Sequence, residues 1–285
     1  MGREQLEKTM ISWRREMLLD KDRKKYGAMT FALNFVPKGL ELGYYAGRWI
    51  DEVVDGDEIL PGNYSSVDHL LDETINQIET MGMNKFLSIK EPGPGFLFQQ
   101  AIIYLQPLEN KALGDDVKQE FIGFIEAMRW EYHRRVNRFV LSEDELLQSY
   151  WRGFSHAQNI TLIALRAKER VPQFCPPVEE LLVMPSSKLP LILPIVLGKA
   201  YAIRDFSEDW KEGIYPVPRH ELIRAGFDPK QLPKDPNAVL TNPVIREWRK
   251  SDSEIAWKLS RKLRQKTVDL PTWGLIRFLT AGIGK

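Results

Sequence analysis

The chain holds a single cysteine, Cys175, so no intrachain disulfide framework is open to it. That usage fits a reducing compartment, and a cytoplasmic location is the expectation. Cys175 lies in Gln173-Phe174-Cys175-Pro176-Pro177, a loop-like stretch that favours an incidental thiol over a nucleophile. Long apolar runs are also missing. The longest, residues 189–203, is interrupted by Pro190, Pro194 and Lys199. It falls short of the about 20 apolar residues that a membrane span needs. The first residues are charged and amphipathic, without the apolar core of a signal peptide. Charge of one sign is lacking as well. The net charge is +1, so no global field draws nucleic acid, and an anionic ligand must be held locally. There are no alternating strands, no GxGxxG, no P-loop, no G-x-S-x-G and no Cys/His metal spacing. Nothing in the chain suggests NADPH binding.

What is present is helical periodicity. An apolar fraction of 43% over 285 residues is enough to bury a real core. Apolar residues recur at helical spacing over 3–20, 40–54, 67–81, 96–105 and 115–139. Ser142-Glu143-Asp144-Glu145 is a capping-box pattern that opens a helix running to about residue 170. Residues 171–188 read as a proline-rich connection, and 189–210 as the most apolar helix. A short helix ending near Gly226, a charged helix over 243–266 and a short apolar one over 271–282 follow. The apolar run 26–36 stops at Pro37, Gly56 stops the helix before it, and residues 91–95 form a break. No composition shift marks a boundary. Residues 1–285 therefore read as one all-α domain, a single helical bundle.

Two acidic repeats stand out, Asp51-Glu52-Val53-Val54-Asp55 and Asp205-Phe206-Ser207-Glu208-Asp209. Each has the pattern DxxxD and follows a helix-like run bearing an arginine, Arg48 or Arg204. Positions i and i+4 of a helix lie about 40° apart on one face, one turn above the other. Both carboxylates of a repeat can then reach one hard cation, and oxygen ligands of this kind suit Mg²⁺. Mg²⁺ shares its remaining positions with water and substrate phosphate. Two such motifs facing each other would hold a diphosphate between them. The competing reading is a solvated acidic face, with each arginine salt-bridged to its neighbouring carboxylates.

These motifs resemble the squalene/phytoene synthase family. Its first signature is roughly Tyr-x-x-x-Arg-x-x-Asp-Asp-x-x-Asp. Here it reads Tyr44, Arg48, Asp51, Glu52 and Asp55. Its second, roughly Gln-x-x-Asn-x-x-Arg-Asp-x-x-x-Asp, reads Gly198, Tyr201, Arg204, Asp205 and Asp209, followed by Gly213, Tyr215, Pro218, Leu222 and Gly226. Met128-x-x-Glu131 and Glu145-Leu146-x-x-x-Tyr150 are similar to two further family patterns. The resemblance covers residues 25–227. It implies an isoprenoid synthase-like bundle around a central apolar cavity. It also implies Mg²⁺-dependent head-to-head joining of prenyl diphosphates. On that resemblance Asp51, Asp55, Asp205 and Asp209 hold Mg²⁺, Arg48 and Arg204 contact diphosphate, and Tyr44 and Tyr150 stand near it.

The chain departs from the family at Gly198 (Gln), Tyr201 (Asn), Glu52 (Asp) and in the polar run Phe154-Ser155-His156-Ala157-Gln158-Asn159. Gly198 and Tyr201 are either packing substitutions or specificity changes. His156, Gln158 and Asn159 are either a polar acceptor pocket or a hydrogen-bonded core cluster. His133, Arg134, Arg135 and Arg138 form a solvated face, an ion-pair network with Glu131, or a guide for diphosphate. Three functions compete: head-to-head condensation, prenyl transfer to a second small-molecule acceptor or cyclisation, and a non-catalytic assembly role. The basic run Lys258, Arg261, Lys262, Arg264 and Lys266, with Trp273, Leu275, Ile276 and Phe278 beyond it, is an outer helix with a core-packing tail or a peripheral membrane contact.

Overall fold

The computed structural model describes residues 3–21, 33, 36–81, 93–168, 170–183 and 192–266. Every regular element among them is helical, as the periodicity predicts. In chain order the α-helices are α1 (Arg3–Lys21), α2 (Lys38–Asp55), α3 (Val67–Glu79), α4 (Pro94–Leu105), α5 (Val117–Asn137) and α6 (Glu143–Ala164), with two 3-10 turns, Gln106–Leu108 and Lys111–Leu113, between α4 and α5. They continue as α7 (Val178–Val183), α8 (Leu193–Arg204), α9 (Phe206–Glu212), α10 (Arg219–Arg224), α11 (Pro236–Leu240) and α12 (Pro243–Lys266). Most of the aromatic run 26–36, positions 91 and 92 of the break, and the apolar segment 271–282 with Trp273, Leu275, Ile276 and Phe278 lie outside the described residues.

The chain forms two compact units, one from Met1–Arg129 with Asn159–Arg170, the other from Trp130–Gln158 with Val171–Lys285. Two of the three boundaries fall inside α5 and α6, and the third, at 170/171, lies in the connection that follows α6. A continuous helix needs no linker, so no linker composition exists to be read at the first two.

In the first unit α4 is apolar nearly all round, and every residue of Pro94–Ile102 is buried. It packs against α2 and α3. The face α2 offers carries Gly39, Gly43 and Gly47 at four-residue spacing. A Cβ on Gly39 would lie 2.9 Å from the Ala101 carbonyl oxygen, and one on Gly43 would lie 2.9 Å from the Phe121 ring. The absent side chains are what lets the neighbouring residues in.

In the second unit Phe206, Trp210, Tyr215, Val217, Leu222, Val239 and Ile245 make a buried cluster. Phe206 and Trp210 stack with centroids 5.6 Å apart, and the Trp210 indole N–H donates to the Pro233 carbonyl at 2.8 Å. Behind α8, the Lys199 ammonium pairs with Asp252 of α12 out of water.

Several boundaries differ from the periodicity reading. Both α5 and α6 stop early, on an arginine instead of a glycine. Arg138 and Arg166 have φ of 54° and 51°. The amides that follow them reach back five residues, Phe139 to the Arg134 carbonyl (3.0 Å) and Ala167 to the Leu162 carbonyl (2.9 Å). This is the Schellman closure, usually built on glycine. The connection 171–188 contains the short helix α7. The apolar helix breaks at Asp205, and α9 begins a new one that sends Phe206 and Trp210 into the cluster. The Ser142 capping box forms as predicted, with the Ser142 amide donating to Glu145 Oε2 at 2.7 Å and the Glu145 amide to Ser142 Oγ at 3.3 Å.

Helix propensity alone favours alanine over glycine by about 1 kcal/mol. Gly39→Ala is nonetheless expected to destabilise by about 1–3 kcal/mol, because the clash is with backbone of α4. Urea denaturation would check this, and an unchanged or raised midpoint would contradict the close approach of α2 to α4.

Candidate functional site

The first repeat sits at the end of α2. Arg48 donates to the Asp51 carboxylate through Nη1 and to Glu52 Oε1 through Nη2, the latter at 3.1 Å. Glu52 is buried, and its second oxygen accepts from Arg14 Nη2 at 3.3 Å. Arg14 Nη1 continues to Glu58 Oε1 at 2.7 Å. Arg14 has no exposed surface and lies against two indoles, 5.5 Å from the centroid of Trp13 and 5.2 Å from that of Trp49. Glu52, read as a mild departure from the acidic pattern, is thus the buried counter-ion of two arginines. Asp51 is a third exposed and Asp55, the last helical residue, is fully on the surface side. Both occupy the last turn, which holds no basic residue. The C-terminal end of a helix carries partial negative charge, so carboxylates there favour a cation. Tyr44, one turn before Arg48, is half-buried and meets Tyr45 edge-on at 5.7 Å.

The second repeat straddles the break between α8 and α9. Asp205 stands between the two helices, and the Asp209 amide donates to its carbonyl at 2.9 Å. The Asp205 side chain is taken by Arg204, whose Nε and Nη2 reach its two oxygens at 2.6 and 2.5 Å. Burial pushes the Asp209 carboxyl up to about 8, helped by the negative charges of Asp205 and Glu131. Arg134 opposes this but is committed elsewhere. It donates to both Glu131 oxygens at 3.0 and 3.3 Å and to the Tyr215 carbonyl at 2.8 Å. Burial also raises the Tyr150 phenol, in a field that includes Arg134, Asp252, Glu131 and Asp209. It stays protonated at neutral pH and acts only as a neutral hydroxyl. A Cβ on Gly198 would overlap Tyr150.

The structure thus brings Glu131, Arg134, Tyr150, Asp205 and Asp209 into one electrostatic neighbourhood of the second unit. Asp51, Asp55, Arg48 and Tyr44 belong to the first unit. Of the ambiguous groups, Asn159 is a core residue, donating to Glu120 Oε1 at 3.0 Å. The arginines of α5 form ion pairs and hydrogen bonds: Arg134 as above, Arg135 with Glu212 at 3.7 Å, and Arg138 with the Tyr215 hydroxyl at 3.3 Å. Arg14, Lys199 and Asp252 escaped the motif reading. A lone arginine within the apolar stripe of α1, next to Trp13, was the available signal for the first.

Among the described residues, no three His, Cys, Asp or Glu side chains stand ready-made as a metal-holding group. The donor chemistry nonetheless suits Mg²⁺. The donors are carboxylate oxygens, few enough to leave positions for water and phosphate. A carboxyl held protonated by burial and its acidic neighbours is also a state that a cation would relieve. No helix among the described residues is long and apolar enough to cross a membrane. No family model, curated protein or solved structure matches the chain.

Asp209 titrates from 3.8 in its ordinary state to about 8 in the folded chain. Folding therefore favours its protonated form. That contribution is whole below pH 4, is lost as pH rises toward 8, and is absent above. Asp209→Asn should match wild type near pH 4 in EDTA and exceed it in Tm at pH 9. The expected gain is roughly 4 °C or more, on a scale of about 2–4 °C per kcal/mol. Thermal denaturation across pH measures it, and equal Tm values at pH 9 would rule out the raised carboxyl.

Proposed function

We propose that this chain is a Mg²⁺-dependent prenyltransferase. It ionises an allylic prenyl diphosphate, farnesyl or geranylgeranyl diphosphate, and joins it head to head with a second prenyl chain. The observation that carries the reading is the charge-deficient group at the second repeat. Asp205, Asp209 and Glu131 share an environment in which burial and the neighbouring negative charges hold Asp209 protonated. Glu131 and Tyr150 are also the positions that the motif pattern singles out.

On this reading Asp51 and Asp55 would hold Mg²⁺ at the first repeat, and Asp205 and Asp209 would hold it at the second. When bound there, Mg²⁺ would supply the positive charge that neutralises a departing diphosphate. Arg48 and Arg204 exchange their carboxylate partners for diphosphate oxygens, in charge-assisted hydrogen bonds. The allylic C–O bond breaks, its electron pair leaves on the diphosphate, the double bond of the acceptor chain attacks the cation, and the cation this leaves on the acceptor chain is discharged by loss of a proton. Tyr150, held neutral by its burial, stands near the leaving group as a hydroxyl that does not quench the cation as a phenolate would. Tyr44 lies one helical turn from Arg48 on the same face. An isoprenoid synthase-like bundle with an apolar cavity completes the reading, because the cation survives only where water is excluded. A phytoene-type product needs no reductant.

One observation favours a second reading, transfer to a non-prenyl acceptor or cyclisation of a single chain. Tyr150 fills the space against Gly198 where the family carries a glutamine side chain.

The test is a product assay with Mg²⁺ on geranyl, farnesyl and geranylgeranyl diphosphates separately, quantifying pyrophosphate and extracted hydrocarbons. A C30 or C40 product supports condensation. Pyrophosphate with a cyclised or solvent-captured product supports the second reading. No turnover with any donor counts against condensation and cyclisation and leaves transfer to an absent acceptor or an assembly role, which a donor-binding titration separates. Asp51→Asn and Asp205→Asn should each lower pyrophosphate release about 100-fold or more, the scale of losing a charge-stabilising group. Both should unfold like wild type, and full activity in both would exclude the metal role.

A further inference from the structure

The side chain of Arg204 is 62% exposed, a setting in which arginine ordinarily samples many rotamers. Here it is held from two sides. Its Nε and Nη2 form a fork onto the two oxygens of Asp205. Its guanidinium carbon lies 4.4 Å from the ring centroid of Tyr201. Tyr201 is itself backed by Phe154 of α6, with centroids 5.7 Å apart and planes 9° from parallel. The result is a stack of three planar groups, Phe154, Tyr201 and Arg204. Burial does not explain the aromatic at its centre, since Tyr201 is 38% exposed. A planar cation over a ring face does.

The fork engages the edge with which a guanidinium grips phosphate oxygens. It also occupies both oxygens that Asp205 would offer a cation. Without ligand, the two residues silence each other.

We propose that Arg204 is a latched oxyanion clamp. Asp205 keeps its forked edge closed until a divalent cation claims Asp205, and the Tyr201–Phe154 stack holds the released guanidinium in place to grip a diphosphate. This rests on the reading of the second repeat as a cation and diphosphate site, and it gives Tyr201 a positioning role.

The test is calorimetric titration of the full chain with inorganic pyrophosphate, which is independent of prenyl turnover. In EDTA the wild type binds weakly. Asp205→Asn opens the latch without metal and should bind pyrophosphate about tenfold tighter or more, the worth of one charge-assisted hydrogen bond. Removing a negative charge would itself help an anion, so the stack is tested in the same background. Adding Tyr201→Phe should keep the gain, and adding Tyr201→Leu should lose most of it. Equal affinities for wild type and Asp205→Asn in EDTA, or a gain that survives Tyr201→Leu, would overturn the proposal. Binding as expected with no turnover of any prenyl diphosphate would leave the clamp standing and sink the prenyltransferase reading alone.

Discussion

A carboxylate withdrawn from water must find a counter-charge or give up its own. The two acidic repeats answer that constraint in opposite ways. At the first, Glu52 is buried and shared between Arg14 and Arg48, and Arg14 reaches on to Glu58. This network sets two arginines against Glu52, Glu58 and Asp51, and Asp55 stands at the outer end of α2. At the second, Asp209 lies among Asp205, Glu131 and Glu212, while the nearest arginine, Arg134, is spent on Glu131 and a backbone carbonyl. Its remaining recourse is a proton. On the proposed reading a proton and a cation compete for this carboxylate, and cation affinity should weaken as pH falls through about 8.

The same constraint separates what was legible in the sequence from what was not. Helices with one apolar face, such as α3, show in the spacing of Leu70, Leu71 and Ile78 because burial repeats with the helical period. Local chemistry was legible too, as in the Ser142–Glu145 box and the stop at Gly56. Contacts across long separations were not. Arg14 and Glu52 lie 38 positions apart, and Lys199 and Asp252 lie 53 apart, with no local pattern to join them. The early ends of α5 and α6 escaped because Arg138 and Arg166 take the conformation that glycine usually signals. The break at Asp205 escaped for a different reason. Residues 201–212 contain no proline, and glycine follows only at 213. Beyond the break, Phe206 and Trp210 are buried in the cluster of the second unit.

The candidate site was legible in its acidic and basic residues and illegible in their present partners. DxxxD spacing predicts that two carboxylates share a helical face, and α2 places Asp51 and Asp55 that way. It does not predict that Asp205 falls between two helices, where its side chain is free to turn onto Arg204.

The departures at Gly198 and Tyr201 belong to one helix contact. Tyr150 and Phe154 lie four residues apart on α6, and Gly198 and Tyr201 three apart on α8, so each pair shares a face. Tyr150 closes onto Gly198 because no Cβ stands there, and the same approach brings Phe154 flat against Tyr201. A glutamine at 198 would displace Tyr150, separate the two helix faces, and so remove the ring that supports Arg204. An asparagine at 201 would leave Phe154 without its partner and the guanidinium without its platform. Restoring either family residue alone therefore changes both positions, and the pair has meaning only as a unit: a missing side chain that admits one tyrosine so that another can hold an arginine.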